Sequence, residues 1–176
     1  SGGGVTLTGG EAMLRPDFAA ALCDALHECG VHVAIETAAC VPADVFLRVL
    51  AHVDFAYIDL KHYDEEKHRA ATGVGLGLIQ KNIAAALKSA TPVVVRIPVV
   101  PGFNDSPAGF SKFAGALNAL GAKKVQLLPF HQLGESKYAR LGLPYTFGGV
   151  PQMHDDDIAA FAQTLKDAGL DVQIGG

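Results

Sequence analysis

The sequence predicts an α/β fold with a parallel sheet, built as one domain over residues 1–176. Short apolar runs alternate with amphipathic stretches that are rich in alanine and leucine. Most runs are continuous, which is typical of strands that are covered on both faces. Five strand–helix units followed by a closing strand imply right-handed crossovers and parallel strands. The pattern leaves two architectures open, an open or partial (β/α) barrel and a flat doubly wound sheet.

Six strands are expected, most of them rich in valine and isoleucine. They span residues 5–8, 31–37, 55–60, 93–100, 124–130 and 171–174. Five helices are expected at residues 16–29, 42–51, 76–90, 107–120 and 155–168. Pro16 and Gly30 are typical start and stop signals of the first helix, and Asp155 or Asp156 is expected to cap the last.

Composition excludes several classes of protein. The net charge is −4, so the basic excess of a general nucleic-acid binder is absent. No apolar run reaches the roughly 18 residues of a membrane span, and no signal peptide is visible, which favours a cytoplasmic protein. Cys23, Cys29 and Cys40 include no C-x2-C or C-x3-C pair. They are expected to be half-buried structural thiols rather than ligands of zinc or an iron–sulfur cluster.

Polar residues lie at the end of each of the first five predicted strands or directly after it. Ligands of parallel α/β folds bind at the carboxyl ends of the strands, so these residues are expected to share one edge. They are Thr8-Gly9-Gly10-Glu11, Glu36-Thr37, Asp59-Leu60-Lys61-His62, Pro101-Gly102-Phe103-Asn104-Asp105 and Pro129-Phe130-His131. Arg96 is unusual because it lies within a strand of valine and isoleucine, where a guanidinium needs an anionic partner.

These side chains suit a small zwitterionic ligand with an amino-acid-like group. The Gly9-Gly10 pair lets backbone atoms approach a ligand, although such a pair also forms plain tight turns. The adjacent Glu11 carboxylate is an acceptor for an ammonium group. Asp59 and Lys61 share a strand face, either as an internal ion pair or as part of a ligand or metal site. His131, at the end of a core strand, is a further candidate for ligand contact.

Five segments, in this order and spacing, resemble the glycyl-radical-enzyme activating enzymes of the radical S-adenosylmethionine (SAM) superfamily, such as those that act on pyruvate formate-lyase. The segments are residues 3–11 with a GGE motif, 30–37, 59–62 with DLK, 96–105 with PGFND, and 127–138. The resemblance implies a partial (β/α)6 TIM-like barrel of parallel strands. It covers nearly the whole chain.

The resemblance also implies an activity and two cofactors, SAM and a [4Fe-4S] cluster held by a CxxxCxxC loop. In this family, reduction by flavodoxin or ferredoxin leads to cleavage of SAM, and the 5′-deoxyadenosyl radical takes a hydrogen atom from a glycine of a partner such as pyruvate formate-lyase. CxxxCxxC and the first strand of the family would precede Ser1. The chain is therefore expected to be the C-terminal portion of such an enzyme, inactive alone and without a catalytic residue of its own.

Site residues follow from the same resemblance. The SAM-binding set would be Gly9, Gly10, Glu11, Glu36, Asp59, Lys61, Arg96 and His131. Within it, the GGE motif would receive the ammonium group, Lys61 would reach the carboxylate, and His131 would lie near the ribose or adenine. A monovalent cation would be held by Glu36, Thr37, Tyr57 (through its carbonyl) and Asp59. Glu36 stands where the family has Asp.

Interactions and alternative functions complete the predictions. The irregular segment 132–151 contains aromatic and arginine residues that suit a protein interface, here with the glycyl radical enzyme, although a plain surface loop is the alternative. An exposed sheet edge is expected to promote self-association. One alternative function is a radical SAM enzyme acting on a small molecule. Others are a cofactor-free aldolase or isomerase, with Lys61 as Schiff base or proton shuttle and His131 as acid/base, and a non-catalytic binding module.

Overall fold

The computed structural model describes residues 3–175, and these form one six-stranded sheet. The strands are β1 (Gly4–Leu7), β2 (His32–Thr37), β3 (Phe55–Asp59), β4 (Val93–Pro98), β5 (Lys124–Leu128) and β6 (Asp171–Ile174). They lie in sequence order, and every neighbouring pair is parallel. A doubly wound sheet reverses its strand order at a switch point, whereas this order runs unbroken. The partial barrel is confirmed, and the flat doubly wound alternative is wrong.

Seven α-helices occur within the described residues. They are α1 (Pro16–Glu28), α2 (Ala43–Leu50), α3 (Glu65–Thr72), α4 (Leu76–Ala86), α5 (Pro107–Leu120), α6 (Glu135–Arg140) and α7 (Ala159–Asp167). All five predicted helices are present, and α5 has the predicted bounds. Short 3-10 turns, Ala12–Leu14 and Asp155–Ile158, precede α1 and α7.

Helix α3 has no counterpart among the predicted elements. Its sequence is mostly charged, so it lacks the apolar stripe by which an amphipathic helix is found. Its ends are well defined instead. The Asp64 carboxylate accepts hydrogen bonds from the backbone N–H groups of Glu66 and Lys67, both at 3.0 Å. Gly73 ends the helix with a φ of 79°, a left-handed conformation that favours glycine.

The C-terminal part of the chain differs from the prediction in two places. The short helix α6 lies inside segment 132–151, which was expected to be irregular. The capping role predicted for Asp155 or Asp156 is wrong, because the helical segment starts one residue earlier. His154 is the N-cap, and its backbone N–H donates to the Asp157 carboxylate at 2.8 Å.

The main core lies between one face of the sheet and the helices. Burial alternates along the central strands: Ile35, Ile58 and Ile97 are fully buried, whereas Glu36 and Asp59 on the other face are only partly covered. The expectation that both faces are covered is therefore wrong, and the inner face of the half-barrel is accessible. No helix in residues 3–175 has the length and apolar character needed to cross a membrane.

Candidate functional site

A cleft of about 320 Å³ lies at the carboxyl edge of the sheet, where the sequence predicted a ligand site. Its lining residues are Thr8, Gly9, Gly10, Glu11, Glu36, Thr37, Ala38, Asp59, Lys61 and Arg96. Seven of the eight predicted SAM-binding residues thus meet in one place. The eighth, His131, follows β5 at the same edge but is exposed and does not line the cleft.

Arg96 joins the two carboxylates of the cleft. Its Nη1 lies 2.8 Å from Oε1 of Glu36, and its Nε lies 3.1 Å from Oδ1 of Asp59. The guanidinium carbon also lies 5.2 Å from the centre of the Tyr57 ring, a cation–π distance. Lys61 Nζ lies 2.9 Å from the other oxygen of Asp59. The anionic partner predicted for Arg96 is therefore provided by two side chains.

Burial and charge act together in this cluster. The hydrogen bond from Arg96 holds the pKa of Glu36 below its ordinary value, with a smaller contribution from the hydroxyl of Thr8, which donates to Oε2 at 3.0 Å. Burial alone would lower the pKa of Arg96, but Glu36 and Asp59 outweigh it and raise that pKa. The side chains of Glu36 and Arg96 are therefore both charged at neutral pH.

In the GGE motif, the backbone of the two glycines is open, and the Glu11 carboxylate beside it is held by hydrogen bonds. No heavy atom lies within 4 Å of the position that a Cβ would take at Gly9 or Gly10, and Gly9 has a φ of 124°. The Glu11 carboxylate accepts from the Thr37 hydroxyl at 2.7 Å and from the backbone N–H groups of Ala38 at 3.0 Å and Met13 at 3.2 Å. Glu11 therefore holds the loops after β1 and β2 together, a role that its sequence context did not reveal.

The predicted cation ligands are hard oxygen donors, but their oxygens already have partners. Glu36 is bonded by Arg96 and Thr8, and Asp59 by Arg96 and Lys61. The Thr37 hydroxyl donates to Glu11 and accepts from the Ala39 N–H. The set suits a cation in chemistry, but it offers free carboxylate oxygens only when Arg96 turns away. Residues 3–175 contain no group of three or more His, Cys, Asp or Glu side chains arranged to hold a metal ion.

The cysteines lie away from this cleft. Cys23 is buried in α1, and burial is the main cause of the raised pKa of its thiol. Cys40 is half-buried, whereas Cys29 is exposed, so the expectation of three half-buried thiols is wrong for Cys23 and Cys29. All three are free thiols.

Segment 132–151 is an exposed surface beside the same edge. Leu133 and Leu141 are 80% and 72% exposed, and Tyr138 and Leu143 are also exposed. Such a concentration of exposed leucine and tyrosine side chains on one segment is typical of a surface that contacts another protein.

The family profile described as "Radical SAM superfamily" matches residues 2–114. The chain belongs to the radical SAM superfamily. Enzymes of this superfamily use SAM together with a [4Fe-4S] cluster. The printed sequence contains no CxxxCxxC motif to bind the cluster.

Several relatives of this radical SAM chain are glycyl-radical-enzyme activating enzymes, as predicted. The benzylsuccinate synthase activating enzyme of Thauera aromatica is 41% identical over 182 residues, covering 100% of the chain and 55% of the relative. The 4-hydroxyphenylacetate decarboxylase activating enzyme of Clostridioides difficile is 38% identical over 177 residues, covering 99% of the chain and 56% of the relative. The chain thus spans about half the length of these curated relatives.

A solved structure of similar extent exists for one member of the superfamily. A domain of pyruvate-formate lyase-activating enzyme from Bacteroides vulgatus superposes on this radical SAM chain with a TM-score of 0.80 and 27% identity, and 99% of each chain is covered.

Proposed function

We propose that this chain forms the SAM-binding edge of a glycyl-radical-enzyme activase. One observation carries the proposal: the carboxylates of Glu36 and Asp59 and the cations Lys61 and Arg96 surround open glycine backbone in a single cleft. The names of the curated relatives support the class of partner. In this proposal the whole chain acts as one domain.

Each group has a task in this proposal. Lys61, half-exposed beside Asp59, binds the carboxylate of SAM. The open backbone of Gly9 and Gly10, with the carboxylate of Glu11, receives the ammonium group. Arg96 keeps Glu36 and Asp59 in place and balances their charge. When bound with a reduced cluster, SAM supplies the radical that takes a hydrogen atom from the partner's glycine.

Other members of the site have a subsidiary part. His131, exposed at the end of β5, is proposed to approach the ribose or adenine. A monovalent cation is proposed at Glu36, Thr37, the Tyr57 carbonyl and Asp59, and its entry requires Arg96 to release the carboxylates. We also propose that the cluster is bound by a CxxxCxxC segment, which the printed sequence does not contain, and that residues 1–176 alone do not cleave SAM.

The proposed partners follow from the exposed surfaces. Segment 132–151, with its exposed leucines and Tyr138, is proposed to contact the glycyl radical enzyme, such as one like pyruvate formate-lyase. Flavodoxin or ferredoxin is proposed as electron donor. Three free thiols suit a reducing compartment, and we propose a cytoplasmic location.

The aldolase alternative is less well supported. A lysine that forms a Schiff base is usually desolvated in an apolar pocket or close to another cation. Lys61 shares Asp59 with the cation Arg96, but it is half-exposed and bonded to that carboxylate, so it is not desolvated in an apolar pocket. Covalent trapping of a carbonyl compound on Lys61 by borohydride would favour the aldolase.

The proposal is tested by NMR titration of SAM into the chain, a method that registers millimolar binding. We expect shifts in the amides of residues 8–11 and 59–61, and at least about tenfold weaker binding for Lys61→Ala, the effect of one charge-assisted contact. Lys88→Ala is the matched control, because Lys88 is exposed between α4 and β4, at the opposite edge. Unchanged affinity of Lys61→Ala, or no binding by the wild type, contradicts the proposal.

A further inference from the structure

Asn104, in the PGFND motif, joins the loops that follow β3 and β4. Its side chain is 2% exposed. Its Nδ2 donates to the carbonyls of Lys61 and Pro98, both at 2.8 Å, and its Oδ1 accepts from the N–H of Val100 at 2.7 Å. One buried amide thus ties the backbone carbonyl of Lys61, whose side chain lines the cleft, to the segment that follows β4.

Asn82, on α4, does the same for the loop that follows β2. It is fully buried, and its Nδ2 donates to the carbonyls of Ala39 and Val41, both at 2.9 Å. Ala39 has a φ of 54°, a left-handed conformation that is strained for alanine. Its N–H donates to the Thr37 hydroxyl, which in turn donates to Glu11. Asn82 therefore connects α4 to the GGE motif through one chain of hydrogen bonds.

Asn82 also keeps a group without a partner. Its Oδ1 is buried and accepts no hydrogen bond from any group in residues 3–175. An unpaired buried oxygen is destabilising, but loss of the Nδ2 group would leave the carbonyls of the buried residues Ala39 and Val41 without this donor. The Nδ2 group therefore accounts for an asparagine at this position, because one amide nitrogen meets both carbonyls of the strained loop.

We propose that Asn82 and Asn104 are positioning residues for SAM. From the side of the helices, they hold two of the loops that line the cleft. Glu11 and Lys61 are therefore in position before SAM binds. This inference rests on the proposed function, because it names the residues that prepare that same site. Neither asparagine lines the cleft.

The test compares Asn82→Asp and Asn104→Asp with Asn118→Asp in the full chain. Each change keeps the shape of the side chain but replaces a donor to carbonyls by a carboxylate oxygen. Asn118 is the control for the loss of an amide donor at an exposed position, because its Nδ2 donates to the carbonyl of Ala168 at 3.1 Å, away from the cleft. SAM affinity is measured by NMR titration, loop order by amide hydrogen exchange, and stability by thermal unfolding. Asn82→Ser and Asn104→Ser, which keep one donor, replace any aspartate variant that does not fold.

We expect at least about tenfold weaker SAM binding for the Asn82 and Asn104 variants and about twofold or less for Asn118→Asp. Amide exchange is expected to quicken in residues 38–41 for Asn82 and in residues 99–104 for Asn104. If the Asn82 and Asn104 variants lose stability but bind SAM like Asn118→Asp, their role is only structural and the inference is overturned. If the wild type does not bind SAM, the proposed function fails. Independently of that result, the inference is overturned if amide exchange in the two loops is the same in the Asn82 and Asn104 variants as in the wild type.

Discussion

Arg96 determines the electrostatics of the cleft because it is bonded to both carboxylates. Its side chain is 12% exposed, and those of Asp59 and Glu36 are 15% and 33% exposed. Removing one member of such a buried group leaves the others charged and unpaired, which is more destabilising than losing a surface ion pair. The same arrangement favours the ionised form of Glu36 beside the proposed binding site of a carboxylate.

Arg96→Met is expected to lower the free energy of unfolding by about 2 kcal/mol, less than for a fully buried pair because Glu36 is partly exposed. The measurement is urea denaturation at pH 7. Arg48→Met is the control, since Arg48 forms an exposed pair with Asp17 at 3.0 Å and its loss should change stability by less than about 1 kcal/mol. Equal losses for both variants would contradict the role given to Arg96.

The stability of the chain at acidic pH should show the same interaction between Arg96 and Glu36. The pKa of Glu36 is lowered in the folded chain, so its contribution to stability is present above its ordinary pKa of 4.5 and is lost as pH falls through the folded value. The loss of stability below that pH should therefore be smaller in Arg96→Met than in the wild type.

At the residue scale, the sequence predicts a contact where a residue differs in polarity from its neighbours along the chain. Arg96 among valines and isoleucines demands an anion, and the structure provides Glu36 and Asp59. Glu11 and Asn82 carry no such signal, because their partners lie 26 to 43 residues away along the chain. A hydrogen bond of that range depends on the packing of whole elements, which a local pattern does not contain.

Among the elements, α3 shows how a polar helix is held at the carboxyl edge. His62 precedes it, fully buried, and its ring lies 5.0 Å from that of Phe103 and 4.4 Å from that of Tyr63. Its Nδ1 accepts from the N–H of Asp64 at 2.8 Å, just before the helix starts. Burial lowers the pKa of His62, so the folded chain favours its neutral form.

Stability is therefore expected to depend on His62 in mildly acidic solution. Because its folded pKa lies below the ordinary 6.5, its contribution is complete above about pH 6.5 and is lost as pH falls further. His62→Asn retains an acceptor for Asp64 but does not titrate. The free energy of unfolding, measured between pH 7.5 and about 5, should fall more steeply for the wild type than for His62→Asn. Parallel curves would show that His62 does not contribute.

At this scale the prediction succeeded for elements with an apolar pattern and failed for those without one. α5 was found with correct bounds because proline opens it, glycine ends it and apolar residues lie between. α3 and α6 are short and rich in charged residues, and neither has an apolar stripe; α3 is capped by the Asp64 side chain, whereas α6 has no side-chain cap and no buried residue. The strand positions were predicted correctly. The exposed inner face of the sheet was not, because predicting it requires the knowledge that the barrel is open.

For the whole molecule, the open edge of the sheet is the feature with the clearest consequence. Among the described residues, 3–175, β1 has a strand partner on one side only, β2. Beside it, Leu14 and Phe18 are each 68% exposed, and a groove of about 380 Å³ runs along Leu7, Ala12 and Phe18. Unpaired backbone next to exposed apolar side chains is what natural proteins cover to prevent edge-to-edge pairing.

We propose that the isolated chain associates with itself through β1, and we expect light scattering to show a dimer that forms as concentration rises. Val5→Lys should restore the monomer, because a charged residue on an edge strand opposes pairing with a second strand. Val74→Lys is the matched control, since Val74 has a similar exposure, 38% against 36% for Val5, but lies between α3 and α4. A wild-type chain that remains monomeric at high concentration, or a Val5→Lys variant that dimerises as readily as the wild type, would show that β1 is not the contact. If the chain dimerises through β1, a second chain covers the apolar surface beside the GGE motif whenever no other segment occupies that surface.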